Sequence, residues 1–173
     1  HKMSSNQVES IYHFQGMETW EKIEKRAKAF LDDVLPKHRG QTVVVVTHAD
    51  VIMNFTHLFT GEDKHKIVHQ PYPGLGKSRT FFWDHETGAQ MDLHKEIVDD
   101  ILWQDDKAKT KKSTVSLTIV RHGETDYNKA GKLQGGEADI PLNDAGRKQA
   151  KDLAKELKGA TFDAIVSSSL IRA

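Results

Sequence analysis

The sequence predicts an α/β protein, a three-layer α/β/α sandwich with a mostly parallel central sheet, and three observations carry that prediction. Two runs rich in apolar and β-branched residues, Val43-Val44-Val45-Val46-Thr47 and Val115-Ser116-Leu117-Thr118-Ile119-Val120, read as buried strands. Segments whose apolar residues recur at three- and four-residue steps alternate with them. That alternation favours helices packed against a parallel sheet.

Each element follows in chain order. His1-Lys2 ahead of Met3 reads as the remnant of an expression tag and is set aside. From Thr19 to Leu35, the residues Trp20, Ile23, Ala27, Phe30, Leu31 and Val34 form one helical stripe, which Pro36 is expected to stop. Gly40 breaks the chain into the 43–47 strand, and a helical pattern resumes from Val51 to Phe59 until Gly61. Pro71, Pro73, Gly74 and Gly76 mark a loop. Thr80-Phe81-Phe82-Trp83 then reads as a strand, turned at Glu86-Thr87-Gly88 onto an antiparallel mate from Gln90 to Leu93. The polar stretch from Gln104 to Thr114, with Lys107, Lys109, Lys111 and Lys112, lacks periodicity and reads as a linker. Beyond it come the 115–120 strand, a loop at Gly131, Gly135 and Gly136, and a helix from Asn143 to Leu157 with Ala150, Leu153, Ala154 and Leu157 inward. The strand Phe162 to Val166 closes the series.

Composition bounds the function. At 173 residues, with 37% hydrophobic and 29% charged residues, the chain fits one globular domain. The 25 basic and 25 acidic side chains balance, so no global field points to nucleic acid or an anionic membrane. Zero cysteines exclude disulfides and thiolate chemistry and fit a cytoplasmic enzyme. No apolar stretch approaches the roughly 20 residues of a membrane helix.

The chemistry-bearing residues stand at strand ends. Arg121-His122-Gly123 follows one buried run and His48 the other, and ligands in open α/β sheets bind beyond the carboxyl ends of strands. Arg beside His offers a fixed cation next to a nucleophile or acid/base. The other histidines, among them His57, His65, His69 and His94, read as surface or loop residues, and no metal site is expected from them.

Several motifs agree on a family. Thr118-Ile119-Val120-Arg121-His122-Gly123-Glu124-Thr125 with Asn128, then Leu133-Gln134-Gly135, Asp139, Pro141-Leu142 and Ser167-Ser168-Ser169-Leu170-Ile171-Arg172-Ala173, resemble the amino-terminal half of the histidine phosphatase superfamily in its phosphoglycerate mutase-like branch. Val45-Val46-Thr47-His48 with Asp50-Val51-Ile52, preceded by the 18–35 helix, resembles that family's carboxy-terminal half. The resemblance implies that His122 is a nucleophile forming a phosphohistidine, and that Arg121, Arg172 and His48 hold the phosphoryl group. It also implies secondary contacts from Asn128, Gln134 and Gly135, with no metal or cofactor. The chemistry is consistent: neutral imidazole is a competent nucleophile, and guanidinium groups stay charged and fork onto two phosphoryl oxygens.

Three departures accompany the resemblance. The halves stand in reversed order, 4–103 before 115–173 around the 104–114 linker, as in a circular permutation of a single domain; old termini lying close at the surface permit this. The family's middle segment with its acidic residue has no counterpart here, so the chain is truncated, or residues are missing from it, or a partner supplies them. Glu18 and Glu9 are stand-ins for the acid. Ala49 replaces the glycine that commonly follows the second histidine. The implied function is a phosphomonoester hydrolase acting on a small phosphorylated substrate, with a phosphoglycerate mutase as the enzymatic alternative and an impaired phosphate-binding protein as the non-enzymatic one. The mutases' long insertion is absent, which favours the hydrolase. An oligomer is compatible with an incomplete site. The reading requires the 115–120 strand to lie beside 43–47 with His122 and His48 meeting.

Overall fold

The computed structural model describes residues 18–71, 73–86, 90–92 and 113–173. Glu9, residues 104–112 of the expected linker, Thr87-Gly88 of the turn, Leu93 and His94 lie outside the described residues.

Helix α1, Trp20–Lys37, starts at Thr19, whose side chain accepts from the Lys22 N–H. It runs past Pro36 instead of stopping there. The bond that proline removes would have ended on the carbonyl of Asp32, an exposed residue that water can satisfy, so the last turn survives. Strand β1, Thr42–Thr47, leads through His48 into helix α2, Ala49–Thr60, which ends on Gly61 at φ +66°, the left-handed conformation glycine adopts freely. A one-turn helix α3, Lys64–Ile67, precedes strands β2, Ser78–Asp84, and β3, Gln90–Asp92. Strand β4, Thr114–Arg121, is followed by the short α4, Asp126–Lys129, then α5, Asp144–Glu156, and strand β5, Ala164–Ser167.

The five strands form one sheet in the order β3-β2-β4-β1-β5. β1 is parallel to both β4 and β5, while β2 is antiparallel to β4 and to β3. The parallel part is therefore the part whose ends carry the histidines. β4 lies beside β1 as the sequence requires, with Thr47 opposite Arg121, so the two strands end level. β2 outgrows its apolar run of four residues because its pairing with β4 extends from Ser78 opposite Val120 to Asp84 opposite Thr114.

Side-chain alternation divides the core between the two faces. On one face Val43, Val45, Leu117 and Ile119 pack with Ala27, Leu31 and Val34 of α1 and Ile52, Phe55 and Phe59 of α2. On the other, Val44 and Val120 pack against Leu153 of α5. Burial of Leu153 agrees with the sequence pattern, but Ala150 and Ala154 are exposed, contrary to it. The contact face of α5 is the Gly146, Leu153, Leu157 stripe; Ala150 and Ala154 lie one residue round the helix from Gln149 and Leu153 and turn toward water. Among the described residues no helix is long and apolar enough to cross a membrane.

Candidate functional site

His122 sits at the switch from β4 into the following loop. Its backbone N–H donates to the Thr47 carbonyl at 3.0 Å, which ties the ends of the two parallel strands together, and the residue is 6% exposed. The Nδ1 atom lies 2.7 Å from the Gly123 carbonyl oxygen. A carbonyl only accepts, so Nδ1 carries the proton and Nε2 keeps its lone pair. Burial holds the imidazole below its ordinary value near 6.5; the Gly123 carbonyl opposes this in part, and the guanidinium groups of Arg121 and Arg172 add to it.

His48, at the N-cap of α2, meets it as the sequence requires: the two ring centroids are 5.2 Å apart. Its Nε2 is 2.8 Å from Ser168 Oγ, and Ser168 is held in place because its N–H donates to the Val46 carbonyl at 3.0 Å. The Nδ1 atom is buried without a partner among the described residues. Burial first, then the positive charges of Arg172, His122, Arg26 and Arg121, push its pKa down from 6.5 to about 4. Both imidazoles are therefore neutral at neutral pH, and the field around them is that of the neighbouring guanidinium groups.

Arg172 is 4% exposed. It donates from Nη1 to the Ala138 carbonyl at 2.8 Å and from Nη2 to Gly135 at 3.5 Å, while its Nε is buried with no partner among the described residues. Burial lowers its pKa and Asp139 opposes that. Arg121 donates from Nη1 to the Pro73 carbonyl, so the 73–77 loop steers its guanidinium. Asn128 and Gln134 converge on Thr125: Asn128 Oδ1 accepts from the Thr125 N–H and Oγ1, and Gln134 Nε2 donates to Thr125 Oγ1 at 2.7 Å. Asn128 thus completes the cap of α4. Gln134 and Gly135 line a cavity of about 680 Å³ with His48, Ser168, Arg172 and Arg26. His122 is not itself among the lining residues, and its ring meets that of His48, which is. Glu18 also lines the cavity; its Oε1 accepts from Arg26 Nε at 2.8 Å and its Oε2 from Arg26 Nη2, so both oxygens are engaged by one guanidinium.

Sequence reasoning missed the partners that hold these groups. Ser168 stood inside a quoted motif without a role, and its signal is a hydroxyl directly after a strand that ends beside a histidine. Asn143 and Gln149 flank Gly146 on α5 at three-residue spacing and bind Glu124. That spacing was visible, but its target was not.

The depressed histidines give a pH signature. Because the folded-state pKa of His48 lies below the unfolded value, the unfolded chain takes up its proton first as pH falls, and stability drops through the window from about 6.5 to about 4. Below that window both states are protonated and the dependence ends. Thermal midpoints measured across this range should fall more steeply for the native protein than for His48→Gln. Parallel curves would assign the depression elsewhere.

Comparison with known proteins identifies the family. The description "Histidine phosphatase superfamily (branch 1)" matches residues 3–86 and 117–173, well over half of the chain. A protein named fructose-2,6-bisphosphatase TIGAR from Xenopus tropicalis is 52% identical over 58 residues, which is 34% of this chain and 21% of that protein. The uncharacterized phosphatase PhoE of Bacillus subtilis is 47% identical over 58 residues, 34% of this chain and 30% of its own. A 2,3-bisphosphoglycerate-dependent phosphoglycerate mutase from Methanosarcina acetivorans is 47% identical over 57 residues, 33% of this chain and 23% of its own. The chain thus spans less than a third of the length of these relatives. No solved structure matches.

Proposed function

Because the chain belongs to the histidine phosphatase superfamily, branch 1, we propose that it is a phosphomonoester hydrolase working through a phosphohistidine on His122. The observation that carries this reading is the 2.7 Å contact of His122 Nδ1 with the Gly123 carbonyl: because a carbonyl only accepts, the proton belongs on Nδ1, which leaves Nε2 as a nucleophile beside the Arg121 and Arg172 guanidinium groups. Nε2 attacks phosphorus, the bond to the leaving oxygen breaks and that oxygen takes up a proton. Water then attacks the phosphohistidine and releases orthophosphate. Arg121 and Arg172 hold the phosphoryl oxygens, and an approaching dianion returns His48 toward its protonated, donating form by opposing the charges that depress it. Gln134 and Gly135 border the same anion.

The relatives named as phosphatases support water as the acceptor; the relative named as a mutase supports a second reading in which a substrate hydroxyl takes the phosphoryl group. We also read the chain order as permuted within one domain. The supports are the insertion of β1 between β4 and β5 in a single sheet and the match in two separate segments.

An aryl phosphate separates the chemistry of His122 from the supply of a proton, since a phenolate leaves without help where an alkoxide needs an acid contributing about 10²–10⁴-fold. The full chain should turn over para-nitrophenyl phosphate and be inhibited by orthophosphate. Arg172→Ala should raise the inhibition constant at least tenfold, because it removes a buried guanidinium charge from the lining of the cavity. Phosphate binding that survives without any turnover would favour the impaired binding protein, and transfer between phosphoglycerates would favour the mutase.

A further inference from the structure

The peptide group joining Gly123 to Glu124 is held at both ends. Its carbonyl accepts from His122 Nδ1 at 2.7 Å, and its N–H donates to Gln149 Oε1 at 2.8 Å. A side chain on α5 and the imidazole just past the end of β4 are therefore connected through a single amide plane. The rest of Glu124 is fixed by the same helix: the Asn143 N–H donates to its carbonyl at 3.0 Å, Asn143 Nδ2 donates to its Oε1 at 2.8 Å, and Gly146 lies against its backbone. From the other side, Gly76 packs so closely that an added Cβ would stand 2.8 Å from Gln149 Cβ, and the Gly76 N–H reaches the carbonyls of Arg121 and His122 at 3.2 Å each.

We propose that Gln149 is a positioning residue for His122, orienting and polarising the Gly123–Glu124 peptide so that its carbonyl keeps the proton on Nδ1 and the lone pair on Nε2. The inference rests on His122 being the nucleophile, and it adds a residue outside the phosphate pocket to that reading. The physical basis is cooperative. An amide whose N–H is already donating is a stronger acceptor at its carbonyl, and a peptide plane clamped at its N–H has no freedom to rotate its oxygen away from the ring. The acceptor must be Gln149 Oε1, since a backbone N–H only donates.

Gln149→Met keeps the volume and removes the acceptor, whereas Gln149→Glu keeps an acceptor and adds charge. In the full chain, labelled at histidine nitrogen, NMR should show His122 protonated at Nδ1 in the native protein and in Gln149→Glu, and a mixture of tautomers in Gln149→Met. Gln149→Glu should also raise the His122 titration midpoint, a carboxylate at the relay's end opposing the Arg121 and Arg172 charges that help lower it, with His48 the neutral titratable group facing the ring. With para-nitrophenyl phosphate, Gln149→Met should lose about tenfold in kcat with KM within about twofold, the lower range for loss of an outer orienting partner. An unchanged tautomer and an unchanged kcat in Gln149→Met, with only a lowered Tm, would reduce Gln149 to packing and overturn the proposal. An unmoved His122 midpoint in Gln149→Glu would do the same. If the tautomer responds while the native chain has no turnover, the positioning role stands and the hydrolase reading falls.

Discussion

Replacing His122 by alanine should abolish turnover of para-nitrophenyl phosphate, with a loss on the order of 10⁴-fold or more, the scale on which removal of a covalent nucleophile acts. The size follows from what the residue uniquely provides. In the proposed mechanism Arg121, Arg172 and His48 stabilise charge that is already developing, so the loss of one leaves the others in place. No other described imidazole has a lone pair fixed by a backbone carbonyl beside those cations: His48 pairs through Nε2 with Ser168, and its buried Nδ1 has no partner among the described residues. Acid-sensitive phosphoenzyme trapped during turnover should appear with the native chain and with His48→Gln, and vanish with His122→Ala. Phosphoenzyme persisting in His122→Ala would move the nucleophile elsewhere. His122→Ala should still bind orthophosphate, because Arg172 is anchored by Ala138 and Gly135, not by His122.

Gly146→Ala should be the most damaging small substitution in the described fold. A Cβ on Gly146 would stand 2.7 Å from the Glu124 nitrogen and 2.9 Å from its carbonyl carbon, with the carbonyl oxygen closer still. These are backbone atoms of the loop that follows His122, so α5 must shift or the loop must. Overpacking of this kind costs roughly 1–3 kcal/mol, a fall in Tm of roughly 2–12 °C for a chain of this size. Either movement also disturbs the Gly123 carbonyl that fixes His122, so kcat should fall together with stability. Gly136→Ala is the matched control: its Cβ meets nothing within 4 Å, and its backbone is not in the left-handed region. Thermal melts of the two variants against the native chain decide the matter. A Gly146→Ala protein melting with the native one would mean that helix and loop are not in the contact described.

Much of this was legible in the chain. The valine run of β1 and the Val115–Val120 run of β4 announce buried strands because β-branched side chains fit a covered pleated surface, and the stripe from Trp20 to Val34 announces a helix because a period near 3.6 gathers those residues on one face. Both histidines could be placed at strand ends for the same local reason. The errors were also local in origin. Pro36 was expected to stop α1, but its missing hydrogen bond falls at an exposed last turn. Ala150 and Ala154 look inward on composition, yet the helix face is set by what it packs against, here the Gly123–Glu124 turn and Val120.

By itself the sequence determined the elements, the fold class, and a cluster of motifs specific enough to place the chain in the histidine phosphatase superfamily. These follow from steric and hydrophobic preferences that act over a few residues. The tertiary structure alone decided which groups meet. Ser168 reaches His48 across 120 positions and Gln149 reaches Glu124 across 25, because strand order, register and the glycine-to-glycine approach of α5 bring them together. The same packing sets the protonation of the site, since burial and the convergence of Arg121 and Arg172 lower both imidazoles, and neither exists until the strands close side by side.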